Sequence, residues 1–148
     1  MPTQFMKLGF GKRVVREDGF YNIMINGKVQ GFNVDLRINY YRGLPLSSVQ
    51  KIVLEVDGKE IPKQLMLFKL REKIFTIDEL PKLYTEYWGI KTPAHLLVFN
   101  GGLSEEKHEV KVRIEYKSPY MEFAPGVYGM IDGSGSLCAE IGKARELA

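Results

Sequence analysis

The sequence holds a single cysteine, Cys138, in 148 residues. One thiol closes no internal disulfide, and it supports neither a zinc knuckle nor the staple framework of a small secreted domain. A reducing, cytoplasmic compartment is therefore expected. No apolar run approaches the roughly 18 residues of a membrane-spanning helix, so no membrane partner is expected. The first residues, MPTQFMKLGFGKRVV, are basic but lack a continuous apolar stretch, and no secretory signal is expected. Histidine is scarce too: His95 and His108 are too few for most histidine-based sites. An excess of charge of one sign is nearly absent, since 21 Lys and Arg face 18 Asp and Glu. A net charge of +3 does not imply a nucleic-acid partner. Lys7, Lys12, Arg13 and Arg16 do load the first sixteen residues with +4 and no acid. Residues 1–18 are read as a solvated basic arm.

What is present has the proportions of one globular domain, with 45% hydrophobic and 26% charged residues. From Phe20 to Tyr116 the punctuation is all-β. Residues Phe20 to Ile25 run into Asn26-Gly27, a pair suited to a type I′ hairpin because both positions need positive φ. The return strand alternates Phe32, Val34, Leu36 and Ile38 with Asn33, Asp35 and Arg37, the period of a strand with one buried face. Ile52 to Val56 ends in a second hairpin turn, Asp57-Gly58. Lys73 to Ile77 and His95 to Phe99 are further short β-rich runs, the latter stopping at Asn100-Gly101-Gly102. Glu109 to Tyr116 alternates with Val110, Val112, Ile114 and Tyr116 on one face. Asp78 to Tyr84 suits one helical turn, with Pro81 at its start. No βαβ rhythm occurs, so an antiparallel β-sandwich, immunoglobulin- or jelly-roll-like, is predicted over residues 19–117.

Residues 118–148 read differently. Pro119, Pro125, Gly126, Gly129, Gly133 and Gly135 predict a long irregular tail. Leu137, Ile141, Ala144 and Leu147 are spaced as in one short terminal helix. Tyr120, Met121, Phe123 and Tyr128 give this tail more apolar surface than a solvated end needs, so a docked tail is expected.

The chain is thin in chemistry. His95 opens an apolar strand and is read as a satisfied structural histidine; His108, in Glu105-Glu106-Lys107-His108-Glu109, falls where a hairpin turn is expected. Neither has the ligand clustering of a metal centre. Cys138 has no base nearby in sequence, and Gly9-Phe10-Gly11 and Gly133-Ser134-Gly135 lack the third glycine of a dinucleotide loop. The segment that stands out is Arg37 to Ser47, which leaves its strand through Tyr40, Tyr41 and Arg42 before Gly43-Leu44-Pro45. Tyrosine and arginine combine large area with a polar handle, the profile of binding anchors. A sheet-end corner with exposed aromatics is the plainer alternative. Alternation through Asn39 puts Tyr40 on the core face, with Tyr41 and Arg42 outward.

GFNVDLRINYYRGLPLSSVQKIVLEVDGKEIP, then Trp88, then FNGGLSEEKHEVKVRIEY resembles the small β subunit of the C-glycoside deglycosidases. Its marks are Tyr40 through Ser47, the turn at Asp57 and Gly58, and Gly101, Gly102 and His108; Lys107 stands where that family usually has glycine. The resemblance spans roughly Gly19 to Met121. It implies an accessory β-sandwich subunit that pairs with a larger α subunit of xylose-isomerase-like barrel fold. That partner carries the divalent metal, commonly manganese, and the catalytic acid–base residues. The complex is implied to be a carbon–carbon lyase acting on 3-oxo-C-glycosides, with a flavone, isoflavone or anthraquinone as aglycone. On this reading no catalytic residue and no metal ligand lies in this chain. Tyr41, Arg42, Gly43, Leu44 and Pro45 become the substrate- or partner-facing candidates. The rival reading is a stand-alone carbohydrate- or protein-binding module.

Overall fold

The computed structural model describes residues 5–7, 14–38, 42–125 and 127–147. In chain order the strands are β1 (Phe5–Lys7), β2 (Tyr21–Ile25), β3 (Lys28–Leu36), β4 (Leu44–Pro45) and β5 (Val49–Val56). Then come β6 (Lys59–Glu60), β7 (Met66–Leu70), β8 (Lys73–Thr76), β9 (Tyr87–Trp88) and β10 (Ala94–Val98). β11 (Lys107–Ala124), β12 (Val127–Asp132), β13 (Gly135–Glu140) and β14 (Gly142–Glu146) complete them. One sheet runs β1-β12-β11-β5-β6 with β13 also on β11; the other runs β14-β2-β3-β10-β7-β8. A two-stranded ladder, β4-β9, forms a third. The protein is an all-β sandwich, as the alternation predicts. Pairing is antiparallel except at two edges, β1 on β12 and β14 on β2.

Local chemistry sets the hairpins. Asn26 and Gly27 have φ of 53° and 78°, and Asp57 and Gly58 have 52° and 81°. Between the sheets, Phe32, Val34 and Leu36 of β3 and Met66, Phe68 and Leu70 of β7 join one core with Ile52, Leu54 and Val56 of β5 and Val110, Val112, Ile114 and Tyr116 of β11. Each such side chain contributes roughly 1.5–3 kcal/mol on burial.

Three expectations are corrected. The tail is neither irregular nor helical. β11 continues through Pro119 to Ala124, with register shifts beyond Ser118, and β12, β13 and β14 follow it into the two sheets. Gly133 serves close approach: a Cβ there would lie 2.1 Å from the Tyr116 ring. Leu137 and Ile141, four apart, satisfy an even period as well as a helical one, and Ile131, Ala139 and Ile141 are buried. The side chains of Tyr120, Met121, Phe123 and Tyr128 lie outside the described residues.

The arm is not wholly solvated either. Val14 and Val15 are core residues, Val15 bridges to Leu36, and β1 pairs with β12. Two apolar residues after Arg13 outweigh the basic pattern around them. The helical turn is a 3-10 turn at Ile77–Lys82 with Pro81 inside it. Glu79 Oε1 accepts from the Thr76 N–H at 2.6 Å, a cap that starts the turn one residue early.

Candidate functional site

The corner expected to face outward is a clamp. β4 pairs with β9, Leu44 opposite Trp88 and Pro45 opposite Tyr87. Gly43 is indispensable to this approach, because a Cβ there would sit 2.6 Å from Tyr87 Oη and 2.7 Å from the Trp88 carbonyl. Trp88 is fully buried, donates Nε1–H to the Thr92 carbonyl at 2.8 Å, and meets Phe68 and Tyr116 edge-on at 5.5 and 6.3 Å. It is the keystone between corner and core. Leu44 is buried with it, Pro45 is half-buried, and Arg42 is exposed. Tyr40 and Tyr41 lie outside the described residues. Among Arg42 to Pro45, only Arg42 and part of Pro45 reach the surface.

Sequence reasoning missed what lies beside the clamp. Tyr84 is 76% exposed, Tyr87 47% and Ile90 43%, all in the segment leading into and out of Trp88. The signal was available in YTEYWGI, a cluster of large apolar residues with no helical or strand period.

The remaining family marks assemble elsewhere. His108 is not in a turn but on β11, buried, with Phe20 edge-on at 6.3 Å. Its Nδ1–H donates to Asp57 Oδ2 at 2.6 Å and its Nε2–H to the Ser104 carbonyl at 2.8 Å. Acceptors on both sides require both ring nitrogens to be protonated. Burial alone disfavours that charge, but the hydrogen bonds to Asp57 and Ser104 outweigh it and hold the imidazole above its usual range. Asp57 is held below the ordinary carboxylate range by His108 and then by the Glu109 N–H, which donates to its Oδ1 at 2.9 Å. Gly101 and Gly102, at φ of 92° and 91°, turn the chain toward this staple, and Leu103 is fixed by Asn22 at 2.9 Å.

Ser104 Oγ lies 3.4 Å from His108 Nε2, so serine, histidine and aspartate stand in the order of a hydrolase triad. The chemistry is blocked. A general base needs a free lone pair on Nε2, and that nitrogen already donates to a carbonyl. The serine hydroxyl donates instead to Glu106 Oε2 at 3.1 Å. The constellation ties the β5–β6 turn to the start of β11.

His95 Nδ1 has no hydrogen-bond partner among the described residues, nor have Asp35 Oδ1 and Arg37 Nε. His95 stands opposite Asp35 in the β3–β10 ladder. Burial pushes the Asp35 pKa up and the His95 pKa down, so burial works against charge on both. Cys138 is exposed on β13. Among the described residues no group of three or more His, Cys, Asp and Glu is arranged to hold a metal, and no helix is long and apolar enough to cross a membrane.

Fold and site define an all-β sandwich with an aromatic end and a polar frame whose histidine–carboxylate pair is structural. The chain belongs to the C-glycoside deglycosidase beta subunit family, whose profile matches residues 10–120. It is 33% identical over 112 residues to the C-glycoside deglycosidase beta subunit of Eubacterium cellulosolvens, covering 74% of this chain and 76% of that one. The protein of the same description from Arthrobacter globiformis is 27% identical over 101 residues, 67% and 76% of the two chains. That of Microbacterium trichothecenolyticum is 33% identical over 91 residues, 60% and 67%.

Proposed function

We propose that this chain is the small accessory subunit of a C-glycoside deglycosidase, a cytoplasmic lyase complex whose larger barrel-fold subunit performs the chemistry. One observation carries the reading. A member of a beta-subunit family has the serine–histidine–aspartate alignment among its described residues spent on the fold, while large aromatic surface stands unused at the clamp. The substrate is a 3-oxo-C-glycoside. Its carbon–carbon link offers no leaving oxygen to protonate, so the two-carboxylate route of ordinary glycosidases does not apply. The 3-keto group acidifies the C2 proton. A base takes that proton, the electron pair closes the C1–C2 double bond, and the C1–aglycone bond breaks as the aglycone carbon gains a proton. The products are an unsaturated keto sugar and a free aromatic aglycone, flavonoid-like in class.

The described carboxylates and imidazoles of this chain do not fit a divalent metal. The metal, manganese-like in character, is assigned to the partner, and this chain's part is positional. Purified chain, partner subunit and their mixture, each given a 3-oxo-C-glycoside, test the reading. Aglycone release by the mixture, at least tenfold above either subunit alone, is expected. No complex and no change in the partner's turnover would favour a stand-alone binding module instead.

A further inference from the structure

We infer that the segment from Tyr84 to Ile90 is the anchor by which this chain docks onto its partner subunit, and that it fits an apolar recess rimmed by carboxylates. The inference rests on the accessory-subunit reading and adds the surface and the chemistry of its counterpart.

Tyr84, Tyr87 and Ile90 are three of the large exposed apolar side chains among the described residues, carried on one short segment with Tyr87 on β9. Tyrosine is among the residues that dominate binding energy, because it buries much area while ordering few torsions. The loop is also held in advance. The Leu83 and Glu86 carbonyls accept from the Ser47 and Leu46 N–H groups at 3.1 and 2.8 Å, and the Thr92 N–H donates to Gly89 at 3.0 Å. Trp88, between the exposed residues, is locked in the core. A preorganised loop loses little entropy on binding.

Charge selects the occupant. From Lys82 to Pro93 the one acid is Glu86, and Lys73 Nζ already holds it through both carboxylate oxygens. Lys82 and Lys91 are exposed at either end of the segment, and exposed Arg42 adjoins the same clamp. A cationic rim around an aromatic centre complements an acidic rim around an apolar recess. It disfavours a second copy of this chain, whose own lysines and arginine would face these across a two-fold interface.

The test measures affinity for the purified partner subunit by calorimetry at low and high salt. The variants are Tyr84→Ser with Ile90→Ser, and Lys82→Glu with Lys91→Glu. All four side chains are exposed, so melting temperatures should match the parent. The first pair should weaken binding at least tenfold. The second should weaken it and remove most of its salt dependence. Parent-like affinity in both variants would overturn this anchor while leaving the accessory role intact. A parent chain that does not bind the partner defeats both readings together. Self-association of the parent that the first pair abolishes would assign the surface to a second copy and overturn the proposal.

Discussion

Asp57→Asn separates the charge of the Asp57–His108 staple from its geometry. Asparagine tolerates the positive φ of 52° at this turn, and its carbonyl can still accept from the Glu109 N–H. What is lost is the carboxylate facing a buried imidazolium. A hydrogen bond to a charged group is worth about 1.5–3 kcal/mol. The Asp57 side chain is half-exposed, and solvent screening reduces this to about 1–2 kcal/mol. For a domain of this length that is about 3–8 °C in Tm. The pH dependence carries the stronger test. The His108 pKa is raised from 6.5, so its contribution is complete below that value and fades as pH climbs through the higher folded pKa. The Asp57 pKa is lowered from 3.8, so its contribution holds above that value and is lost as pH falls through the lower folded one. His95, whose pKa burial lowers, contributes the opposite slope, so the pair is read from the difference between the urea unfolding curves of parent and variant. Asp57→Asn should lose most at pH 5.5 and little at pH 8.5. A variant with the parent's slope across that interval would refute the paired-charge account.

Three further outcomes follow from the same structure. Gly43→Ala drives a Cβ into the Trp88 carbonyl, which as backbone cannot swing aside, and should cost about 1–3 kcal/mol in thermal or urea unfolding. Arg42→Ala, at an exposed position, should change stability by less than about 0.5 kcal/mol yet cut turnover or assembly of the complex about tenfold, a charged contact being worth about 1.5–3 kcal/mol; unchanged turnover and assembly would leave the corner purely structural. Truncation after Ser118 should abolish cooperative unfolding, because it removes β12, β13 and β14 with buried Ile131, Ala139 and Ile141. A truncated chain that melts cooperatively near the parent temperature would show that the tail is an appendage.

Legibility tracked the range of the forces involved. The hairpins at Asn26-Gly27 and Asp57-Gly58 were plain, because turn chemistry is local and each pair takes the positive φ values expected. Period-two runs such as Phe32 to Leu36 were equally plain. The tail was not, because a glycine is ambiguous in sequence. It marks either a break or a place where another group comes too close for a side chain, and only the fold shows that Gly133 faces the Tyr116 ring. β14 was invisible for a related reason. Its register is set by a parallel partner, β2, more than a hundred residues away. Spacing misled where it was degenerate, since Leu137 and Ile141 suit strand and helix alike.

The site divides along the same line, and the division bears on function. Asp57, Gly58, Gly101, Gly102, His108 and Trp88 were read as family marks, and each has a place in the frame: turns, a buried histidine paired with a half-exposed carboxylate, a core indole. A residue type suited to catalysis is not evidence of catalysis once its lone pairs and protons are counted. His108 has none to spare, since Asp57 and the Ser104 carbonyl take both N–H groups. Tyr84, Tyr87 and Ile90 present the opposite case, with no motif and no period, yet with large area exposed on a fixed backbone. Exposed apolar area on a rigid loop raises the free energy of the isolated chain in water, and association recovers it. That asymmetry, with the Asp57–His108 polar groups consumed by the fold and aromatic groups left outward, is what the proposed accessory role calls for.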